Sequence, residues 1–305
     1  MSDVGKDIVV GFDGSDQAQA ASRFAIREAI AMHLPLRLLH SFTPPMGGAG
    51  LGYGTILPAD ALDSMRDGIA VHLAQEAAAM ADSHPGLDVS ETVSVGNSAA
   101  CLIDASKSAA LVVVGSRGMG GFKGLILGST GIQVAAHAQC PVAVVRGEPA
   151  VSANTVVVGV DGSDMSQAAL SWAFGYAARH GYGLRVVHAW TVPSFDLLAA
   201  PAGPAPADAT LISQEETRAT AEALAGFRSD FPDVEVNERV VQQHPVAALL
   251  SESADATAIV VGTHGRGEVM SALLGSVSQG VLHKAKIPVV VVGPTTYSDG
   301  TGLGT

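Results

Sequence analysis

Short runs of branched apolar residues alternate with longer amphipathic stretches along this chain. Ile8-Val9-Val10, Val112-Val113-Val114 and Val142-Ala143-Val144-Val145 are apolar at consecutive positions, the pattern of strands buried on both faces. In the first half the pattern predicts strands at 7–12, 36–42, 88–95, 110–115 and 141–146. Helical periodicity lies between them, at about 16–33, 59–83, 98–108 and 129–138. Strictly alternating strands and helices predict parallel βαβ units with right-handed crossovers.

The second half repeats this order, with strands predicted near 155–160, 184–190, 234–241, 257–262 and 288–292. The repeat is visible residue by residue. Ile8-Val9-Val10-Gly11-Phe12-Asp13-Gly14-Ser15-Asp16 returns as Val156-Val157-Val158-Gly159-Val160-Asp161-Gly162-Ser163-Asp164. The offset is 148 positions between Asp13 and Asp161 and 147 between Gly115 and Gly262, a net deletion of one residue. His40 falls against His188, and Arg37 against Arg185. A repeat of this length is a duplicated domain, not a solenoid, whose repeats run to roughly 20–50 residues. Domains are therefore expected at 1–147 and 154–294, joined by a short linker around Gly147–Asn154.

Composition narrows the class. The chain has 305 residues, 48% of them hydrophobic, few aromatics and a net charge of −12. An acidic chain without a Lys/Arg cluster is not expected to bind nucleic acid. No uncharged apolar run is long enough to suggest a membrane span. Met1–Asp7 lacks the basic region and apolar run of a signal peptide, so a cytoplasmic chain is expected. Cys101 and Cys140 are read as two reduced thiols.

Two motifs carry candidate chemistry. Asp-Gly-Ser-Asp closes the first strand of each half, at 13–16 and 161–164. Asp-Gly makes a turn and Ser15 or Asp16 can cap the next helix, which explains the motif structurally. Alternatively, Asp13 and Asp161 offer a carboxylate at the strand end to the hydroxyl or amino groups of a ligand. The second motif follows the fourth strand. Gly115-Ser116-Arg117-Gly118, loosened by Gly120 and Gly121, runs to Gly128-Ser129-Thr130. Glycines let a backbone approach a ligand closely, and a helix N-terminus offers free N–H groups, with Ser129 as a possible cap. The second copy is Gly262-Thr263-His264-Gly265-Arg266-Gly267, then Gly275-Ser276-Val277. The arrangement suits phosphate. It is neither a P-loop nor the dinucleotide fingerprint, because both consensus spacings are absent. Cations sit differently in the two loops: Arg117 and Lys123 in one, His264 and Arg266 in the other. They are either solvated loop charges or phosphate contacts, and the difference predicts unequal affinities. Loops at 43–58 and 191–208 follow the second strand of each half and are either lids or plain insertions. His40 and His188 are expected to pack or to carry a polar tip. The histidines show no metal-ligand spacing.

At these residues the chain resembles the universal stress protein family in its tandem, ATP-binding form. Asp-Gly-Ser after strand one, and Gly-x2-Gly-x9-Gly-Ser after strand four, are similar to the family's ATP-binding pattern. The resemblance covers residues 6–146 and 155–293. It implies an α/β fold: two tandem Rossmann-like domains (adenine nucleotide α-hydrolase-like), each a parallel sheet of order 3-2-1-4-5 with helices on both faces. It implies one ATP or AMP per domain, with or without Mg²⁺. Carried over, Gly11 and Asp13 would lie by the adenosine. Gly115, Ser116, Arg117, Gly118, Gly128, Ser129 and Thr130 would hold ribose and phosphates. Gly159, Asp161, Gly262, Thr263, His264, Gly265, Gly275, Ser276 and Val277 match them in the second domain. A homodimer is also implied, and the apolar last strands, Val142–Arg146 and Val289–Val292, suit edge pairing between halves or chains.

Two functions follow from this reading. The first is a nucleotide-binding regulatory protein of the stress response, which needs only the loops described. The second is a slow ATPase or an ATP-dependent phosphotransferase, which needs a positioned base and a metal clamp as well. The sequence offers Asp13 and Asp161 but no acidic pair for Mg²⁺, so binding is favoured over catalysis.

Overall fold

A computed structural model of the chain describes residues 7–44, 59–118, 127–191, 209–265 and 274–293. The loops at 43–58 and 191–208 fall almost wholly outside these residues. So do Gly120, Gly121, Lys123, Arg266 and Gly267, and the tail from Pro294. The chain divides into two compact units, with the division between Arg146 and Gly147.

The first unit contains β1 (Asp7–Gly11), β2 (Leu36–Phe42), β3 (Val89–Val95), β4 (Ala109–Gly115) and β5 (Val142–Val145). Its helices are α1 (Asp16–Met32), α2 (Ala59–Ser83), α3 (Ser98–Ala105) and α4 (Ser129–His137). The strands are parallel in the order β3-β2-β1-β4-β5. The second unit holds β6 (Thr155–Val160), β7 (Gly183–Trp190), β8 (Val236–Gln242), β9 (Ala258–Gly262) and β10 (Val289–Val292). Its helices are α5 (Asp164–His180), α6 (Ala209–Asp230), α7 (Pro245–Glu252) and α8 (Ser276–Lys284). Here the order is β8-β7-β6-β9-β10, again parallel. Both units therefore have the expected 3-2-1-4-5 arrangement.

The consecutive apolar runs form the middle of each sheet. Ile8, Val9 and Val10 of β1 have no exposed surface, nor have Val156, Val157 and Val158 of β6. Such strands must be covered on both faces. Right-handed crossovers put α1 and α2 on one face and α3 and α4, which touch each other, on the other. Phe24 of α1 and Phe174 of α5 are both buried, and Phe174 stacks on Phe227 of α6 and on Phe231 just beyond that helix, at 5.2 and 5.6 Å. By contrast β3, with the sequence VSETVSV, mixes exposed and half-buried positions, as suits an edge strand.

Local chemistry sets the helix ends. Ser15 and Ser163 are N-caps, accepting from the N–H of Ala18 and Ser166 at 3.2 Å each. Asp16 and Asp164 sit in the first turn, where the helix dipole favours a carboxylate. α1 ends on His33 and α5 on Gly181, both left-handed at φ 54° and 65°. The helix expected at 98–108 stops at Ala105. There Ser106 donates its hydroxyl to Ile103 O and accepts from the N–H of Gln139, leading the chain into β4.

Candidate nucleotide-binding sites

The order of strands reverses between β6 and β9 in the second unit, and between β1 and β4 in the first. A crevice outside the carboxyl ends of such strands is where open α/β sheets bind ligands. Both motifs of each unit end there: Asp-Gly-Ser follows the first strand of the pair, and the glycine loop follows the second.

In the second unit this crevice is a cavity of about 290 Å³. That is close to the lower end of the usual range for small-molecule sites, roughly 300–1,000 Å³. Of the residues singled out in the sequence, Gly159, Asp161, Gly262, His264, Gly265, Gly275, Ser276 and Val277 line it. The apolar part of the wall comes from Val187 and Ala189 of β7, Val261 of β9, and Pro245 and Leu249 of α7. These were not legible as site residues, because apolar side chains at strand ends are common in any buried sheet.

The two motifs meet inside the crevice. A Cβ on Gly265 would stand 2.6 Å from Oδ2 of Asp161, and one on Gly118 would stand 2.5 Å from Oδ2 of Asp13. The other carboxylate oxygen is held by the turn. Oδ1 of Asp161 accepts from the N–H and the hydroxyl of Ser163 at 3.0 and 2.6 Å. Oδ1 of Asp13 accepts from the same groups of Ser15 at 3.1 and 2.6 Å. The structural and functional readings of Asp-Gly-Ser are thus compatible, one oxygen building the turn and the other turned to the glycine loop.

A histidine supports each turn from the next strand. His40 Nδ1 lies 2.7 Å from Phe12 O, and His188 Nδ1 2.9 Å from Val160 O, the carbonyl just before the aspartate. His188 is buried, and its Nε2 is 2.8 Å from Glu216 Oε2 of α6, out of line for a hydrogen bond. The expected polar tip is therefore a brace behind the site in both units.

The glycines divide by role. Gly115 and Gly262 let the first turn of a helix approach the sheet: a Cβ there would come within 2.8 Å of Gln17 O and 2.9 Å of Met165 Cβ. Gly11 and Gly159 lie under Leu102 and Leu249, where a Cβ would find 3.2 Å. Among the described glycines, Gly118 and Gly265 are the two that face the aspartate. Ser116 and Thr263 turn inward. Ser116 is buried and donates to Gln17 Oε1 at 3.1 Å, while Thr263 Oγ1 is 3.7 Å from Met165 Sδ, so their side chains serve the packing of the loop.

The helices that follow the glycine loops are capped differently from α1 and α5. The N-caps of α4 and α8 are Gly128 and Gly275, and neither makes a side-chain cap bond. Ser129 is not the cap, as was expected, but the first residue inside the helix, with Thr130 second. Gly128 and Gly275 donate their own N–H to Ser116 O and Thr263 O, each at 2.8 Å, which closes the loop on itself. The first-turn N–H groups behind them face the crevice end of the helix, an arrangement suited to an anion.

The model of the Universal stress protein family matches residues 5–146 and 153–293 of this chain. The chain belongs to the universal stress protein family. A universal stress protein of Mycolicibacterium smegmatis is 40% identical over 296 residues, covering 94% of this chain and 97% of its own length. The crystal structure of a universal stress protein from Archaeoglobus fulgidus covers 95% of this chain and 98% of its own. Its TM-score is 0.69 and its identity 20%, a likeness of fold. A universal stress protein solved in complex with cAMP matches 46% of this chain and 97% of its own, at 32% identity and a TM-score of 0.31. Among the described residues, no helix is long and apolar enough to cross a membrane.

Proposed function

We propose that the chain binds an adenine nucleotide, ATP, once in each unit, and that occupancy biases its interaction with a regulatory partner. The observation that carries this reading is the contact between the aspartate after the first strand and the glycine after the fourth. It occurs twice, at the switch point of each sheet, beside a helix N-terminus without a side-chain cap. A carboxylate oxygen there can accept from a ribose hydroxyl. The first-turn N–H groups of α4 or α8 can receive phosphate oxygens, with Arg117 or His264 adding a cation. The apolar wall formed by Val187, Ala189, Pro245 and Leu249 suits the face of a purine. Mg²⁺ would enter with the phosphates, as part of the bound nucleotide. A homodimer, which the family resemblance implies, belongs to the same proposal.

Mass spectrometry of nucleotide released from the natively purified chain tests the reading. Adenine nucleotide at up to two per chain is expected. A chain that releases none and shows no ATP affinity after purification contradicts it. Phosphate release in steady state separates binding from catalysis: a binding protein turns over far below the roughly 1 s⁻¹ of an ordinary slow enzyme.

A further inference from the structure

The two buried serines that line the cavity of the second unit, Ser166 and Ser278, have no hydroxyl counterpart in the first. Ser278, the third residue of α8, donates its hydroxyl to Gly262 O at the end of β9. Together with the bond from Gly275 N–H to Thr263 O, this ties the two ends of the glycine loop to each other twice. The first unit keeps the backbone bond, from Gly128 to Ser116 O, but Gly131 stands where Ser278 does. Ser166 does the same for the other motif. Its hydroxyl accepts from Gly162 N–H at 3.1 Å and donates to Ser163 O at 2.8 Å, so it holds the turn that presents Asp161. Ala18 is the corresponding residue of the first unit.

The cavity lining differs in the same direction. Ala189, Pro245 and Val277 line it in the second unit, where the first has Ser41, Ser98 and Thr130. Pro245 occupies the first turn of α7 after His244, which makes no side-chain cap bond. The first unit instead caps α3 with Asn97, which accepts from the N–H groups of Ala99 and Ala100. An apolar wall gains more from covering a purine face than a wall of hydroxyls does. Charge runs the other way, since the first loop holds Arg117 and Lys123 where the second holds His264, Arg266 and Glu268, so the bonds and the apolar wall must outweigh it.

We infer that the second unit holds nucleotide more tightly than the first, and that Ser166 and Ser278 are the positioning residues that set much of the difference. The inference rests on the reading of ATP in both units. Its physical basis is preorganisation: a loop and a turn already fixed by hydrogen bonds lose less freedom when the ligand arrives. One such bond is worth about a fivefold change in affinity.

The test is calorimetric titration of the nucleotide-stripped full chain with ATP. The Gly118→Ala variant reports the second site and the Gly265→Ala variant the first. The second site is expected to be at least about tenfold tighter. In the Gly118→Ala background, Ser278→Ala is expected to weaken binding about fivefold, while Ser278→Thr, which keeps the hydroxyl, stays near its parent. A gain of function guards against misfolding. A Cβ at Gly131 would meet only ordinary contacts at 3.8–3.9 Å. In the Gly265→Ala background, Gly131→Ser should therefore tighten the first site, and Gly131→Ala should not. Equal affinities of the two sites overturn the inference and leave nucleotide binding intact. So does Ser278→Ala without effect, or an equal gain from Gly131→Ala and Gly131→Ser. Absence of ATP binding by the unsubstituted chain removes the underlying reading as well.

Discussion

Oδ2 of Asp161 occupies the space that a side chain on Gly265 would need, at 2.6 Å from where its Cβ would stand. Oδ1 of the same carboxylate is fixed by two bonds from Ser163, so the group cannot easily swing away. Asp13, Gly118 and Ser15 repeat the arrangement. The aspartate and the glycine loop therefore form one cradle in each unit.

Gly265→Ala is expected to lower ATP affinity at the second site by at least about tenfold, the weight of one misplaced polar contact. Gly118→Ala should do the same at the first. Overpacking of this kind costs about 1–3 kcal/mol, a fall of several degrees in Tm with the fold retained. Calorimetric titration together with thermal unfolding checks both halves of this expectation. Undiminished affinity in both variants would dissociate the glycines from the ligand.

Asp161→Asn separates the two tasks of the aspartate. The amide oxygen can keep the Ser163 bonds, while its NH₂ replaces the acceptor that faces Gly265. Affinity should fall about fivefold with stability nearly unchanged. Asp161→Ala removes both, and is expected to cost about 1 kcal/mol of stability as well. Denaturant unfolding of the two variants side by side distinguishes the roles.

Burial pushes the Cys140 thiol up to about 12, so at neutral pH it holds almost no thiolate. Cys101 is only half-buried. A thiol reagent at pH 8 is expected to label Cys101 first, and Cys140 only after unfolding. Peptide mapping of the labelled chain reads this directly.

Arg185 Nη1 and Nη2 donate to Asp255 Oδ1 and Oδ2 at 2.7 and 3.2 Å, a forked pair that holds the Asp255 carboxyl below its ordinary value. A lowered folded value means stability that is present above the usual carboxylate range and lost as pH falls through the folded value. Asp255 is largely exposed, so the contribution is only ~0.5 kcal/mol. Asp255→Asn should be slightly less stable than its parent at pH 7. The gap should close as pH falls below about 3.9. A gap that persists unchanged to pH 2 would contradict the assignment.

Much of the fold was readable because its signal is redundant. Val112–Val114 and Val156–Val158 are too apolar for anything but a covered strand, and the second half repeats every element of the first. The site was readable as two motifs but not as one cradle, since nothing in a linear pattern says that Asp13 touches Gly118. Gly115 and Gly262 answer mainly to helix packing against Gln17 and Met165, which glycine spacing alone does not distinguish from ligand approach. Ser116 and Thr263 looked like phosphate hydroxyls and point into the packing instead. Pro245 and Leu249 carried no polar signal, and their place in the wall became visible only once α7 was set against β6. The bonds of Ser166 and Ser278 were hidden for a related reason: in sequence they are two serines on helices, and their meaning comes from the Ala18 and Gly131 that replace them.

The most direct test is the stoichiometry of ATP on the full chain after bound nucleotide has been stripped away. Calorimetric titration is expected to resolve two molecules of ATP per chain, one lost with Gly118→Ala and the other with Gly265→Ala. A chain that takes up no ATP, or whose binding survives both substitutions together, would contradict the account.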